Sequence, residues 1–385
     1  MAERTCRSLN EQRSRALDGL RGLAALSVVV FHVWDYARPI PHVVFASPTD
    51  YVLNEGRLGL ILFFVLSGFL LYRPWVAATL EGSAIPDIRR YVTRRAARIM
   101  PAYYLAVFGS VALLWGAAGT PGVRLPPATS LPLFALFAQN YTSASVLTLD
   151  PPTWTLAIEA SFYLALPLIG IAAARLGPSR LRQTVPPVTL IVVGLAWNTS
   201  TGLAMPLDKL LPSALPYFGV GMLAAVLIHE RRLGRRGARC VGLSGCAAVA
   251  VDGVLHSGLC PGAIEPLVSQ TLRDLPSAVG FAAIVTTAWA GTFSVLGWRP
   301  LAALGTISYG VYLWHLPLLL ALRSADALPL HLVPALAIVL AVTVVVATLS
   351  WVAVERPIIR WSRRAARGPE RSKPAPRPAL ATSRG

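Results

Sequence analysis

Four stretches of this chain run for more than 20 residues without a charged side chain: 99–123, 183–207, 275–298 and 332–354. A helix needs about 20 mostly apolar residues to cross a bilayer. One such stretch could form the core of a soluble protein, but four could not be buried together in a chain of 385 residues. Charged residues make up 14% of the chain, whereas soluble domains carry roughly 25%. The sequence therefore predicts an all-α integral membrane protein.

The apolar runs between charged or Pro- and Gly-rich breaks predict ten membrane-spanning helices. They cover residues 16–36, 57–76, 99–119, 154–174, 185–204, 210–229, 238–256, 275–295, 300–322 and 332–354. With the N-terminus inside, 28 of the 35 Lys and Arg residues fall on the cytoplasmic side. Arg21 lies within the first helix, and the outer side holds Arg38, Arg57, Arg124, Lys209, Arg273 and Arg323. Because positive charge resists translocation, this distribution favours ten spans with both termini in the cytoplasm.

The domain organisation follows from these spans. We predict a cytoplasmic tail over 1–15, a transmembrane domain over 16–356 and a basic, disordered cytoplasmic tail over 357–385. The apolar patch 131–141 is too short to span and is interpreted as a re-entrant or surface segment. We expect the first helix to be retained rather than cleaved as a signal peptide, because Arg21 interrupts it and no small-residue cleavage site follows. The chain is thus predicted to be a multi-pass protein of the cell membrane.

The net charge of +17 does not indicate nucleic-acid binding. The basic residues lie between apolar runs, where they set topology and contact anionic lipid, rather than on one soluble face among aromatic residues. The spacing of the four cysteines fits neither a metal site nor a disulfide framework, so no metal or resident cofactor is predicted. The cysteines are Cys6, Cys240, Cys246 and Cys260.

Polar residues within the first two spans and just before the third are candidate functional groups, because buried charge is costly in a bilayer. Arg21 and His32 are eleven residues apart, which places them on one helical face with a rise of roughly 16 Å between them. Arg95 and Arg98 share one face at the same cytoplasmic edge as Arg21. In the second span, Ser67 precedes Gly68, which permits close approach of another helix. Three guanidinium groups at one edge are suited to binding phosphate.

The fourth and ninth spans add further candidates. Glu159 is expected about five residues below the outer surface, at a depth similar to that of His32. Ser308, Tyr312 and His315 recur along one stripe of the ninth span. Each group also has a plain structural reading: a snorkelling arginine, a packing histidine or a buried ion pair. Together they suggest a layer of arginines at the cytoplasmic mouth and a deeper layer around His32, which suits an elongated anionic ligand.

Five ordered motifs resemble the acyltransferase-3 family of integral-membrane acyltransferases, over about residues 14–358. They are Arg21-x10-His32, FFVLSGF at 63–69, RAARIMPAYY at 95–104, WTLAIEASFY at 154–163 and SYGVYLWHLP at 308–317, with VERP at 354–357 closing the pattern. The resemblance implies transfer of an acyl group from cytoplasmic acyl-CoA to a hydroxyl group, with His32 as the main catalytic residue. It also implies that Arg21, Arg95 and Arg98 support catalysis or bind the donor.

From these residues we expect His32, Glu159 and His315 to be catalytic, with His32 as general base and Glu159 orienting it. A covalent acyl-His32 intermediate is the alternative. Acyl-CoA, the expected co-substrate, would bind Arg21, Arg95, Arg98 and Ser67, and Ser308, Tyr312, Tyr163 or His315 would supply oxyanion or supporting contacts.

The overall similarity to a subgroup from actinomycetes suggests antibiotic biosynthesis, with a hydroxyl of a macrolide as acceptor. The alternative acceptor is a cell-surface polysaccharide. A proton-coupled transporter is the rival from another class, because such proteins also carry intramembrane His and Glu. The partners expected are acyl-CoA, the hydroxylated acceptor and membrane lipid.

Overall fold

A computed structural model describes residues 2–36, 47–231, 233–256, 272 and 274–365. Throughout these residues the regular structure is helical, and no strand occurs. The helices are α1 (Ala2–Tyr36), α2 (Pro48–Asn54), α3 (Leu58–Leu80), α4 (Ile88–Leu114), α5 (Leu131–Ala135), α6 (Trp154–Arg175), α7 (Arg180–Gln183), α8 (Val185–Thr201), α9 (Leu211–Ile228), α10 (Arg235–His256), α11 (Leu275–Trp289), α12 (Arg299–Thr306), α13 (Ser308–Ser324), α14 (Leu332–Ser350) and α15 (Arg356–Ala365).

Seven helical segments in the described residues are long and apolar enough to cross a membrane, or eight if the bent pair α12–α13 forms one span. The polytopic, all-α class is therefore confirmed, and the protein is a multi-pass membrane protein. The two other predicted spans are the shorter helices α8, of 17 residues, and α11, of 15 residues. At 1.5 Å per residue they reach about 25 and 22 Å, less than the hydrocarbon core of about 30 Å. Together with the seven long helices and the bent pair, these two shorter helices account for the ten predicted segments, of which seven or eight meet the criteria of length and hydropathy.

The sequence predicts that successive connections between helices lie alternately on the outer and the cytoplasmic side. Two contacts between α3 and α11 agree with this prediction. On the side predicted to face outward, the guanidinium of Arg57 binds the carboxylate of Asp274 at 2.7 Å, joining the starts of α3 and α11. On the side predicted to face the cytoplasm, the Arg73 guanidinium lies over the Trp289 ring at 3.5 Å, near the ends of the same two helices. The sidedness of the termini itself stays a prediction.

Helix α12 packs against α1 through direct contact between backbones. A Cβ atom at Gly305 would collide with the backbone carbonyl of Asp18, and one at Gly19 would collide with that of Leu296. Helices α12 and α13 meet at an angle of 74°, so α13 begins beside the Arg21 region of α1. Gly68 of α3 likewise lies against the backbone of Phe218 in α9, which agrees with the predicted role of that glycine.

The Gly305→Val variant should unfold at a lower temperature than the parent protein, because two backbones rather than a flexible side chain would have to separate. Overpacking of this kind costs about 1–3 kcal/mol. Thermal unfolding of the protein in detergent micelles measures the effect. Gly237→Val is the matched control, since a Cβ at this helical position meets no atom within 4 Å. An equal loss in both variants would contradict the packing argument.

The connection between α4 and α6 folds into the protein instead of covering its surface. Gln139 donates to the carbonyl of Thr153 at 3.0 Å, and Asn140 donates to that of Trp154 at 2.7 Å. Asp150 is fully buried, and burial raises the pKa of its carboxyl group well above the usual range. The predicted segment 131–141 contains the short helix α5, which α4 holds through hydrogen bonds from Tyr103 and Tyr104 to its carbonyls. Helix α6 therefore begins inside the protein.

Both predicted tails include helical residues. Helix α1 extends back to Ala2, and α15 covers 357–365 of the predicted disordered tail. Residues 366–385 lie outside the described part of the chain, as do Arg38, Cys260 and Arg273. The side chain of Cys6 is also outside it, whereas Cys240 and Cys246 are exposed free thiols.

Candidate active site

Eight of the ten predicted site residues line one cavity, which we call the arginine cavity. It lies between α1, α3, α4, α6 and α13 and has a volume of about 90 Å³. The eight residues are Arg21, Ser67, Arg95, Arg98, Glu159, Tyr163, Ser308 and Tyr312. Five helices bring these side chains, including the three arginines, to one cavity from positions up to 291 residues apart in the sequence.

Positive charge dominates the arginine cavity. Arg21 forms an ion pair with Asp18 at 2.8 Å, a carboxylate that the sequence analysis did not single out. Arg95 lies over the Tyr91 and Tyr163 rings at 6.0 and 5.7 Å. Within the described residues, neither Arg95 nor Arg98 has a carboxylate within 4 Å. Both guanidinium groups interact electrostatically with Glu159, and the three arginines leave the cavity with an excess of positive charge that can attract an anionic ligand.

Glu159 is part of this cavity and does not orient His32, contrary to our expectation. Its carboxylate accepts hydrogen bonds from Ser67 at 3.2 Å and from Tyr163 at 2.9 Å, and it interacts electrostatically with Arg95. The predicted depth assumed that α6 starts at the outer surface. Because the preceding connection folds inward, Glu159 lies deeper and on the arginine side. Ser67 and Tyr163 thus hold Glu159 in place.

His32 lines a second cavity of about 360 Å³, which we call the histidine cavity. The Nε2 atom of His315 lies 3.0 Å from the Nδ1 atom of His32, with the ring centroids 4.9 Å apart. His315 is fully buried. It is therefore His315, rather than Glu159, that contacts and orients His32.

The hydrogen bonds of this pair specify the tautomers of both neutral rings. A carbonyl oxygen only accepts hydrogen bonds, so the Nδ1 of His315, 3.1 Å from the carbonyl of Val311, carries a proton. The Nε2 of His315 is then an acceptor. The Nδ1 of His32 lies 3.0 Å from that acceptor and 3.0 Å from the carbonyl of Val28, so it carries the proton it donates. With the proton on Nδ1, the Nε2 of His32 is the unprotonated nitrogen of the neutral ring, as a general base requires.

The hydroxyl groups predicted as oxyanion donors already have acceptors. Ser308 donates to the carbonyl of Gly305 at 2.9 Å, which places it at the bend between α12 and α13. Tyr312 lies 3.1 Å from the carbonyl of Pro152 and 2.8 Å from the Thr155 hydroxyl. In this arrangement Ser308 stabilises the bend and Tyr312 fixes the start of α6.

The two cavities are neighbours that share three lining residues, Leu60, Phe64 and Tyr312. The sequence analysis missed Leu60 and Phe64, because nothing distinguishes a cavity-lining Leu or Phe from one that packs against a helix. The histidine cavity also contains the rings of Tyr36, Trp154 and Tyr217. Its charged lining residues are Asp35, Arg57, Arg124, Asp208, Lys209 and Asp274.

The sequence profile of the acyltransferase-3 family, described as an acyltransferase domain, matches residues 14–355. YrhL of Bacillus subtilis, which bears the name of a peptidoglycan O-acetyltransferase, is 27% identical over 378 residues, covering 89% of this chain and 54% of YrhL. BcsY of Komagataeibacter xylinus, named as a membrane-bound transacylase, is 28% identical over 373 residues, covering 92% of this chain and 85% of BcsY. OatA of Staphylococcus aureus, named as an O-acetyltransferase, is 24% identical over 375 residues, covering 89% of this chain and 56% of OatA.

The chain thus spans about half the length of YrhL and OatA. No solved structure matches it.

Proposed function

Because the chain belongs to the acyltransferase-3 family, we propose that it is an O-acyltransferase that moves a short acyl group from acyl-CoA to a hydroxyl of a cell-surface glycan. The observation that carries this proposal is the His32–His315 pair, whose facing nitrogen atoms are 3.0 Å apart, in a cavity next to the one that the three arginines line. Acyl transfer from acyl-CoA requires a base that activates the hydroxyl and a site that binds the phosphates of CoA. The two adjacent cavities offer one of these each.

The donor phosphates bind Arg95 and Arg98, with Arg21 beside them. Guanidinium groups bind phosphate oxygens in bidentate fashion, and these two have no competing carboxylate within 4 Å among the described residues. Since the arginine cavity has a free volume of only about 90 Å³, the nucleotide stays at its cytoplasmic mouth. The pantetheine arm extends inward, over the roughly 16 Å that separates Arg21 from His32 along α1.

The proposed acyl transfer uses the ring protons assigned above to His32 and His315. The acceptor hydroxyl donates its proton to Nε2 of His32 as its oxygen attacks the thioester carbonyl carbon. The new C–O bond forms, the C–S bond breaks, and the CoA thiolate leaves with the proton from His32. During this step His32 is positively charged at its ring, and the neutral Nε2 of His315 accepts the hydrogen bond from Nδ1 throughout.

The glycan acceptor is supported by the name of YrhL, which refers to peptidoglycan O-acetylation, and the name of OatA refers to O-acetylation without stating an acceptor. The macrolide acceptor was predicted from the similarity to a subgroup of the family from actinomycetes. None of the three relatives has a name that refers to macrolide modification. The histidine cavity offers aromatic rings beside charged groups, including Trp154 with Lys209 4.6 Å from its centroid. Apolar ring faces next to hydrogen-bonding groups suit a sugar, which has both kinds of surface.

The direct test uses purified protein in lipid nanodiscs, acetyl-CoA and soluble peptidoglycan fragments, with mass spectrometry of the products. We expect acetylated fragments and an equal amount of released CoA thiol. Acylation of a hydroxylated macrolide but not of the fragments would favour the macrolide acceptor. Substrate flux without thioester cleavage would favour a transporter, and no cleavage with any acceptor would overturn the enzyme assignment.

The Arg95→Gln and Arg98→Gln variants should each raise the KM for acyl-CoA by roughly 10- to 100-fold. Charge-assisted hydrogen bonds contribute about 1.5–3 kcal/mol, and each 1.4 kcal/mol corresponds to about tenfold. Steady-state kinetics with acyl-CoA as the varied substrate measure the change. Arg90→Gln is the matched control, because Arg90 is an exposed residue of α4 outside the cavity. An unchanged KM in both variants would contradict the phosphate-binding role.

A further inference from the structure

One stripe of α3 runs along both cavities. Leu60 and Phe64, one turn apart, line the histidine cavity and the arginine cavity, and Ser67 lines the arginine cavity alone. From α13, Tyr312 also lines both cavities. His32 lines the histidine cavity alone. Leu60, Phe64 and Tyr312 thus lie where the two cavities adjoin, between the arginine cavity and the cavity that holds His32.

Two of these three residues are held firmly. Phe64 is 2% exposed, and its ring centroid lies 6.4 Å from that of Tyr217 and 4.9 Å from that of Phe218. The hydroxyl of Tyr312 contacts Thr155 at 2.8 Å, and its ring lies against that of Phe63 at 5.9 Å. Leu60 is partly exposed and has no polar group to bind. Of the three residues that line both cavities, Leu60 is thus the least buried and the one whose size can be changed without removing a hydrogen bond or a ring contact.

The space beyond Leu60, Phe64 and Tyr312, on the side of His32, is polar. Six charged side chains line the histidine cavity. An alkyl chain extended into that cavity would desolvate those charges and occupy the space that the acceptor needs.

We propose that Leu60, Phe64 and Tyr312 form an acyl slot that holds the donor's acyl group and limits it to acetyl. This inference rests on the proposed O-acyltransferase function and adds the residues that select the donor. Butyryl-CoA and longer donors are then poor substrates. One extra methylene in a confined pocket changes selectivity by about 10- to 200-fold, so two extra methylenes are rejected at least that strongly.

Substituting Leu60 tests the slot. In Leu60→Ala we expect the ratio of kcat/KM for butyryl-CoA to that for acetyl-CoA to rise at least tenfold over the parent protein, measured as CoA release with a glycan acceptor. Leu60→Val should give a smaller shift in the same direction and serves if the alanine variant does not fold. Leu66→Ala is the matched control, since Leu66 is a buried leucine of the same helix that lines neither cavity.

The outcomes separate the two proposals. If the parent protein transfers acetyl groups and the ratio is unchanged in both Leu60 variants, the acyl slot is wrong and the enzyme assignment stands. An equal shift in Leu66→Ala would also overturn the slot, because it would indicate general loosening of α3. If the parent protein cleaves no acyl-CoA of any length, the proposed function itself fails.

Discussion

The His32→Ala variant should lose acyl transfer by about 10²- to 10⁴-fold, the range that a positioned general base contributes. The loss should fall on kcat, because the proposed acyl-CoA site is the arginine cavity and His32 lies outside that cavity. The measurement is CoA release at saturating acyl-CoA, together with equilibrium binding of a non-hydrolysable acyl-CoA analogue. Binding should remain within a few-fold of that of the parent protein.

The control for this variant is His331→Ala, which removes an exposed histidine that precedes α14. Near-normal turnover in His32→Ala would refute the base assignment. A covalent route makes a different prediction: the parent protein, incubated with acyl-CoA in the absence of acceptor, would carry an acyl group on His32. The direct route leaves the protein unmodified.

Replacing His315 by leucine should lower kcat by about 10²-fold and leave the KM for acyl-CoA unchanged. Removing the residue that orients a catalytic histidine costs about 10⁴-fold in serine proteases. We expect a smaller loss here, because the carbonyl of Val28 accepts from the same Nδ1 proton and preserves the tautomer. His315→Gln should recover part of the activity, since an amide oxygen can accept that hydrogen bond.

A double variant distinguishes positioning from general destabilisation. If His315 acts through His32, adding His315→Leu to His32→Ala should lower activity no further, because residues that work as a unit are not additive. Losses that multiply would assign His315 a separate role. Thermal unfolding of all four proteins in detergent shows whether either substitution simply unfolds the bundle.

Much of the site could be predicted from the sequence because helical geometry alone fixes it. Arg21 and His32 share a helix, so eleven residues determine their separation. Arg95 and Arg98 are three residues apart, so helical geometry also predicts that they share one face. The distribution of Lys and Arg along the chain predicts that they lie at the same edge as Arg21. Tertiary contacts could not be obtained in this way. The His32–His315 contact joins helices that are 283 residues apart in sequence, and periodicity within one helix does not specify its neighbour.

The errors also have specific physical causes. The predicted depth of Glu159 depends on a residue count from the start of α6, which was assumed to lie at the membrane surface. Because Gln139 and Asn140 hold the start of α6 inside the protein, that count begins at the wrong level. The ninth span was predicted as one helix over 300–322, but it breaks at Ile307. Gly305 allows α12 to lie directly on α1, and a straight helix could not both make that contact and bring His315 to His32.

The location of Arg21 and His32 on one continuous helix has a consequence for donor choice. Helix α1 is continuous from Arg21 to His32, so the helical rise fixes the separation between His32 and the arginine that lies beside the proposed phosphate site. Under the proposed function, acyl donors would then be sorted by the length of the linker between phosphate and thioester, independently of the acyl group itself. A carrier with a shorter arm would fall short of His32 even if its phosphates bound as tightly.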